Sequence, residues 1–517
     1  MYSICLVLLA LLLTSAVGSP VYPLYAIDSF FMPLTDDDYK VMANDFTHVQ
    51  GSYTADELEH FKQANPHFSP VWYIQTGKVR ADVLENAGRL NAAFYLTGTL
   101  GEDLDSTTTT FTYQSMPKVA MLKPSNTTDN VSSHKGYVTF IRIENEILKL
   151  VDVKQTKSNE SQLTVIRGFD KTEAAKHSKG ANVFAPAYSG YSYPGGPQAL
   201  TYMLDATQQL AVDVLVNHTV TGVRMGYAGS WFDCFSSRPF QPVDMAGNSA
   251  KMWNFAKNEI FNQSDYIVVQ RERLKEVFEQ SIKVLGHKPV ILANNAFCYF
   301  TGNCKLLLEK SPGFFPLDGY SIEGFSGHED TTDPVNGCDA TKLSLRYPAI
   351  DEWTRNVEIL MNAAQNNLAA FPMIAQAGCK SVYLEIVGGE KPEIRDKFEN
   401  FGYGSYLMGI ENPDGPTRFG IPAFYRNGTR RYAYVHPRYS LEIGTPQKSA
   451  QNVSKYQVAG HSSYLRPFSG GIVVVNPSNQ TDSQLDLGGS FYDPVSKKKT
   501  STLVPEAQTG HILVKDV

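Results

Sequence analysis

Cysteine is scarce in this chain: six residues in 517, one of them, Cys5, inside an apolar N-terminal stretch. That density excludes a disulfide-stapled miniprotein. None of the six has C-x-x-C spacing and H-E-x-x-H is absent, so neither a zinc site nor any other metal centre is expected. No cofactor is expected either, since no G-x-G-x-x-G follows an early strand to cradle a dinucleotide. Basic charge is also thin. The 46 Lys and Arg are outnumbered by 52 Asp and Glu, and the longest basic run is Lys497–Lys499, which leaves no electrostatic footprint for nucleic acid. After the N-terminal stretch, no apolar run approaches the roughly 18–20 residues a membrane span needs. Internal repeats and low-complexity tracts are missing, which excludes a fibrous chain, and 42% hydrophobic against 19% charged residues excludes disorder.

What the chain has in quantity is aromatic surface, with 28 Tyr and 28 Phe. Such side chains stack on sugars, and they also fill large β-rich cores. The first apolar stretch, Ile4–Leu13, is followed by Ser15, Ala16, Val17 and Gly18. It is too short to cross a bilayer and ends in small residues, so it reads as a signal peptide cleaved near Gly18/Ser19. A secreted, extracellular protein is expected. Eight N-x-S/T sequons, at Asn126, Asn130, Asn159, Asn217, Asn262, Asn427, Asn452 and Asn479, fit a glycoprotein. Cys298 and Cys304 flank the Gly302-Asn303 turn, and a local disulfide between them is the preferred pairing. The pairing of Cys234, Cys338 and Cys379 stays open.

Strand-like and helical runs alternate over residues 20–110 and 190–410. Strand candidates are His67–Tyr73, Ala92–Thr97, Gly229–Phe235, Pro289–Ala293, Gly319–Gly324 and Ser381–Ile386. Arg271–Leu285 and Trp353–Leu368 carry apolar residues at helical spacing, the first stopped by Gly286. The alternation predicts an α/β fold, a (β/α)8 barrel, formed by residues 19–114 and 188–424. Residues 115–187 are Thr-, Ser- and Lys-rich with period-2 runs and are expected to form an inserted β module. Residues 425–517 are expected to form a linker and a C-terminal β-sandwich.

In such barrels the chemistry sits at the C-terminal ends of the strands. Asp233 closes the run GYAGSWFD, and Glu323 closes LDGYSIE. Period-2 alternation sets Glu323 on the face of Gly319 and Ser321, and puts Asp318 on the other face at the opposite end, which makes it the weaker candidate. Two carboxylates across a barrel mouth suit glycoside hydrolysis, one as general acid and one as nucleophile or base. Asn294 and Asn295 end the intervening strand and could hydrogen-bond a sugar hydroxyl. Trp231 and Tyr299 are the candidate stacking residues. Glu385 and Asp28 rank below these acids as structural residues. Glu144, Arg167 and His177 in the insert are polar groups of a catalytic type, but are read as fixing turns.

The runs Gly226–Asp233, Leu317–Phe325, Tyr434–Pro446 and Tyr464–Pro477 resemble the glycoside hydrolases grouped as hypothetical glycosyl hydrolase family 15. In the insert, Ile141–Ile147 and Val165–Gly180 are similar to an I-x-x-E-I … V-x-R-G-x-x-x-T-x-A-x-x-H-x-x-G module of some relatives. The resemblance implies a barrel carrying a β-sandwich, with Asp233 and Glu323 at the ends of the fourth and sixth strands. The expected function is hydrolysis of an oligo- or polysaccharide. The alternative is a non-catalytic glycan-binding or extracellular matrix glycoprotein on a decayed barrel.

Overall fold

The computed structural model describes residues 24–27, 34–117, 122, 140–189, 201–233, 242–243, 250–294, 318–322, 325, 328–329, 345–365, 370–372, 392–412, 419–422, 424–427, 430–433, 435–447, 452–494 and 496–515. The chain divides into two compact units: residues 1–74, 221–232 and 289–517 form one, and residues 75–220 and 233–288 the other.

The first unit is built on a parallel sheet. Its strands are β1 (Leu24–Ile27), β2 (Phe46–Gly51), β3 (Val71–Gln75), β4 (Gly229–Asp233), β5 (Val290–Asn294), β6 (Gly319–Ile322), β7 (Ala370–Pro372) and β8 (Phe419–Pro422). They lie side by side in chain order, and β8 pairs with β1. The described residues show no hydrogen-bonded ladder between β7 and β8, the two ends of that order, although these strands approach each other. Strands covered on both faces need apolar residues throughout, and Gly229, Ser230, Trp231 and Phe232 are all buried accordingly. The close approach of β4 and β5 demands glycine at 229, where a Cβ would stand 1.9 Å from the Val290 carbonyl oxygen.

Helices follow the strands where local signals ask for them. Helices α1 (Asp36–Asp45) and α2 (Ala55–Ala64) start with capping boxes, Thr35 with Asp38 and Thr54 with Glu57. Helix α3 (Gln209–Met225) meets β3 at Gly222, where a Cβ would lie 2.6 Å from the Trp72 ring. Helix α4 (Gln263–Leu285), in the second unit, starts eight residues before the segment expected from periodicity, at the Asn262 cap. It stops at Gly286 as expected, with φ +77. Helix α5 (Ile350–Gln365) buries Trp353, Val357, Leu360 and Met361, the stripe read from the sequence.

The C-terminal region departs from the expected two-sheet sandwich. Among the described residues it holds a short hairpin, Phe424–Asn427 with Arg430–Ala433, and then a single larger antiparallel sheet of β9 (Tyr464–Phe468), β10 (Gly471–Asn476), β11 (Leu485–Asp493), β12 (Lys498–Leu503) and β13 (Thr509–Lys515), in the order β9-β10-β13-β11-β12. Helix α6 (Pro392–Gly409) packs against β10 and β13 where a second sheet was expected. Contact is close enough that a Cβ on Gly510 would sit 2.1 Å from the Asn400 carbonyl oxygen. The buried Arg466 on β9 turns its Nη1 to the carbonyls of Leu407, Met408 and Ile410, satisfying the open C-terminus of α6.

The second unit holds a closed antiparallel barrel of six strands, Phe94–Leu100, Thr110–Ser115, Phe140–Ile143, Glu146–Lys157, Glu160–Phe169 and Asn182–Pro186. This corrects the reading of Ala92–Thr97 as a strand of the parallel fold: Phe94, Tyr95 and Leu96 open the small barrel, pairing antiparallel with Asn182–Pro186, and the same strand continues through Gly98–Leu100 to pair with Thr110–Ser115. Closure removes every sheet edge. Alternation puts Ile141 and Ile143 in one core with Phe111, Leu148, Leu163 and Val183, while Phe140 joins a second core with Phe94 and Phe184. Tyr113 donates to the Thr97 carbonyl at 2.8 Å, and burial pushes its phenol up to about 12.

Candidate active site

Asp233 is the last residue of β4, half-buried. Its main-chain oxygen accepts from the amide and hydroxyl of Thr76, at 3.0 and 2.6 Å, so the strand end is anchored next to the carboxylate. Strand alternation puts the Asp233 side chain on the face of Trp231. Trp231 pairs across the sheet with Leu292, and Leu292 with Gly319. Two residues further along their strands come Asp233, Asn294 and Ser321.

Trp231 is not available to a sugar. It is 1% exposed, stacks on Tyr73 with ring centroids 5.4 Å apart, and shares a core with Val71 and Leu292. The tryptophan expected to contact substrate is a packing residue beneath the strand ends. Alternation alone could not separate these roles, because an inward side chain one step below the mouth is enclosed by its neighbours. Asn294 is the final residue of β5, as expected. Glu323, Asn295 and Tyr299 lie outside the described residues, as do Asp28, Glu385, all six cysteines and the N-terminal stretch. Asp318 stands before β6, and its carboxylate accepts from the Ile291 amide at 2.9 Å. It serves the N-terminal end of the sheet, opposite the strand ends that carry Asp233 and Asn294.

The sequons differ in setting. Asn159 and Asn479 are exposed in turns, Asn217 is exposed on α3, Asn262 caps α4, and Asn452 is half-buried before a 3-10 turn. Asn427 ends a short strand, Phe424–Asn427, while Asn126 and Asn130 lie outside the described residues.

The insert's polar residues form a single cluster. Its hub is Glu146, whose side chain is fully buried. Its carboxylate accepts from Arg167 Nε at 2.7 Å and Nη2 at 2.8 Å, from the Gly168 amide at 2.8 Å and from the Ala175 amide at 3.1 Å. The His177 ring faces the same carboxylate through Nε2 at 2.8 Å, and faces Glu144 through Nδ1 at 2.9 Å. Burial opposes the charge on Glu146, but these donors outweigh it and hold its carboxyl far below the usual range. Thr172 donates to the Phe169 carbonyl at 2.7 Å and accepts from the Ile147 amide at 3.1 Å. Gly168 and Gly180 take positive φ, +56 and +85. Every named position of the motif whose side chain is polar or whose backbone is left-handed therefore serves one turn system, and the turn-fixing reading of Glu144, Arg167 and His177 fits this geometry. The hub, Glu146, is the acid of the I-x-x-E-I motif, although the sequence reading singled out Glu144 beside it as the candidate. Its signal was a carboxylate directly before the apolar pair Ile147 and Leu148 on a buried strand start.

Among the described residues no group of three or more His, Cys, Asp or Glu could hold a metal ion, and no helix is long and apolar enough to cross a membrane. No family model matches the chain, so the resemblance to hypothetical glycosyl hydrolase family 15 gains no support there, and no curated protein matches it. Among solved structures the chain is similar to the glycoside hydrolase domain of PelA from Pseudomonas aeruginosa, at 10% identity over 78% of this chain and 96% of that one, with TM-score 0.34. It is also similar to the Flavobacterium johnsoniae GH31 dextranase FjDex31A complexed with glucose, at 10% identity over 96% of this chain and 52% of that one, with TM-score 0.43. Cryptosporidium parvum pyruvate kinase in complex with ADP is similar at 7% identity over 79% of this chain and 64% of that one, with TM-score 0.31. At scores this low none of them argues for this chain's fold or chemistry.

Proposed function

We propose that this chain is a secreted glycoside hydrolase acting on an oligo- or polysaccharide, with its parallel strands closed into a (β/α)8 barrel. The observation that carries the reading is the position of Asp233, at the C-terminal end of the fourth of eight parallel strands arranged in chain order. Active sites of such folds occupy that end, because the loops that follow the strands are free to vary without disturbing the core. Glu323 follows Ser321 of β6 by two residues and is assigned as the general acid. Asp233 is the nucleophile or base, and Asn294 and Asn295 bind substrate hydroxyls between them. A neutral acid protonates the leaving oxygen while an ionised partner meets the developing positive charge at the anomeric carbon. The leader is removed near Gly18/Ser19, and the product is an extracellular glycoprotein.

The test is hydrolysis of a glycan library by the wild type, Asp233→Asn and Glu323→Gln. Turnover by the wild type and its loss in both variants supports the assignment. Wild-type turnover in either variant removes that residue from the mechanism, and binding without turnover by the wild type favours a glycan-binding protein.

A further inference from the structure

His177 is almost wholly buried, with 1% of its side chain exposed, and each ring nitrogen faces a carboxylate oxygen: Nδ1 to Glu144 at 2.9 Å and Nε2 to Glu146 at 2.8 Å. A neutral imidazole has one N–H, so it can serve only one of these acceptors and turns a lone pair on the other. Only the imidazolium donates to both. The charged groups facing the ring are Glu144 and Glu146, and Arg167 engages the same Glu146 carboxylate. On the remaining side, the His177 backbone exchanges two hydrogen bonds of 2.8 Å with Leu104.

The cluster adds side-chain ties between the ends of paired strands and the return segment that follows Phe169. Arg167 Nη1 donates to the carbonyls of Asp105 and Thr108, and Nη2 donates to that of Ala175. Glu146 takes the amides of Gly168 and Ala175. The ends of the return segment are held separately, Asp170 by an ion pair with Arg89 at 2.9 Å, Thr172 by the Ile147 amide and Gly180 by the Leu100 carbonyl, so this cluster fastens the middle of the segment, around Ala175 and His177.

We propose that His177 is a proton-operated fastening of this small barrel: its imidazolium locks the stretch around Ala175 and His177 onto Glu144 and Glu146, and loss of the proton loosens that stretch. Burial alone would favour the neutral ring, but the hydrogen bonds and charges of Glu146 and Glu144 overcome it and raise the His177 pKa above its ordinary value. Because the folded value is the raised one, the lock is complete below the ordinary histidine pKa and is lost as pH rises through the folded value. Between the two, opening becomes easier by about tenfold per pH unit, as one proton is released.

Hydrogen exchange of the full-length protein, corrected for intrinsic rates, reads this directly between pH 5.5 and 9. Amides around Ala175 and His177 are expected to lose protection with rising pH while the strand Phe140–Ile143 does not. Glu144→Gln, at a position whose side chain is largely exposed, should move the loss to lower pH, and His177→Gln should abolish the step. Equal pH dependence in both segments overturns the proposal. So does an unmoved midpoint in Glu144→Gln, which keeps the test alive if His177→Gln fails to fold. Nitrogen-15 shifts of a neutral His177 ring at pH 6 would overturn it as well.

Discussion

Arg167 and Glu146 meet side-on inside the small barrel, Nε to Oε1 at 2.7 Å and Nη2 to Oε2 at 2.8 Å, with the two side chains 5% and 0% exposed. A forked pair of this kind fixes both partners' orientation as well as their charge. It also makes the unit vulnerable, because a buried ion that loses its partner has no water to replace it.

Glu146→Ala should therefore destabilise the protein by about 3–5 kcal/mol, the cost of leaving Arg167 buried and uncompensated. Urea unfolding of the full chain measures this, and a loss under about 1 kcal/mol would contradict the role of Glu146 as hub. Arg167→Lys should also be costly, since an ammonium cannot span both oxygens.

On the proposed assignment of Glu323 as general acid, Glu323→Gln should lower kcat on a cleavable glycan by about 10²–10⁴-fold. Its melting temperature should stay near that of the wild type. A fall in Tm accompanied by unchanged kcat would assign Glu323 a structural role instead.

Trp231→Ala should cost about 3–5 kcal/mol of stability through loss of a fully enclosed ring. Trp231→Phe should recover most of the stability and leave KM at the wild-type value, since the ring packs on Tyr73 and Leu292 and has no open face. A large rise in KM for the Phe variant with unchanged Tm would return Trp231 to the substrate.

Gly510→Ala should destabilise the contact of α6 with β13, because the added methyl meets the Asn400 carbonyl oxygen at 2.1 Å. Overpacking of this kind costs about 1–3 kcal/mol. A melting temperature equal to that of the wild type would show that the helix can withdraw without loss.

Local sequence determined the elements whose signals are contained within a turn or two. Thr35 with Asp38, Thr54 with Glu57 and Gly286 define helix ends because capping is satisfied by residues three or four positions away. The apolar runs around Trp231 and Leu292 define strands, and Asp233 stands at a strand end because the run stops there. Tertiary structure decided which sheet each strand joins. Ala92–Thr97 carries the same apolar pattern in either setting, and its antiparallel partner Asn182–Pro186 supplies the hydrogen bonds that choose the small barrel. It likewise decided that α6 covers the C-terminal sheet and that Trp231 is enclosed. It made Glu146 the partner of both Arg167 and His177, residues 21 and 31 positions away. Burial and ion pairing depend on distances between segments remote in the chain, and periodicity along one segment carries no record of them.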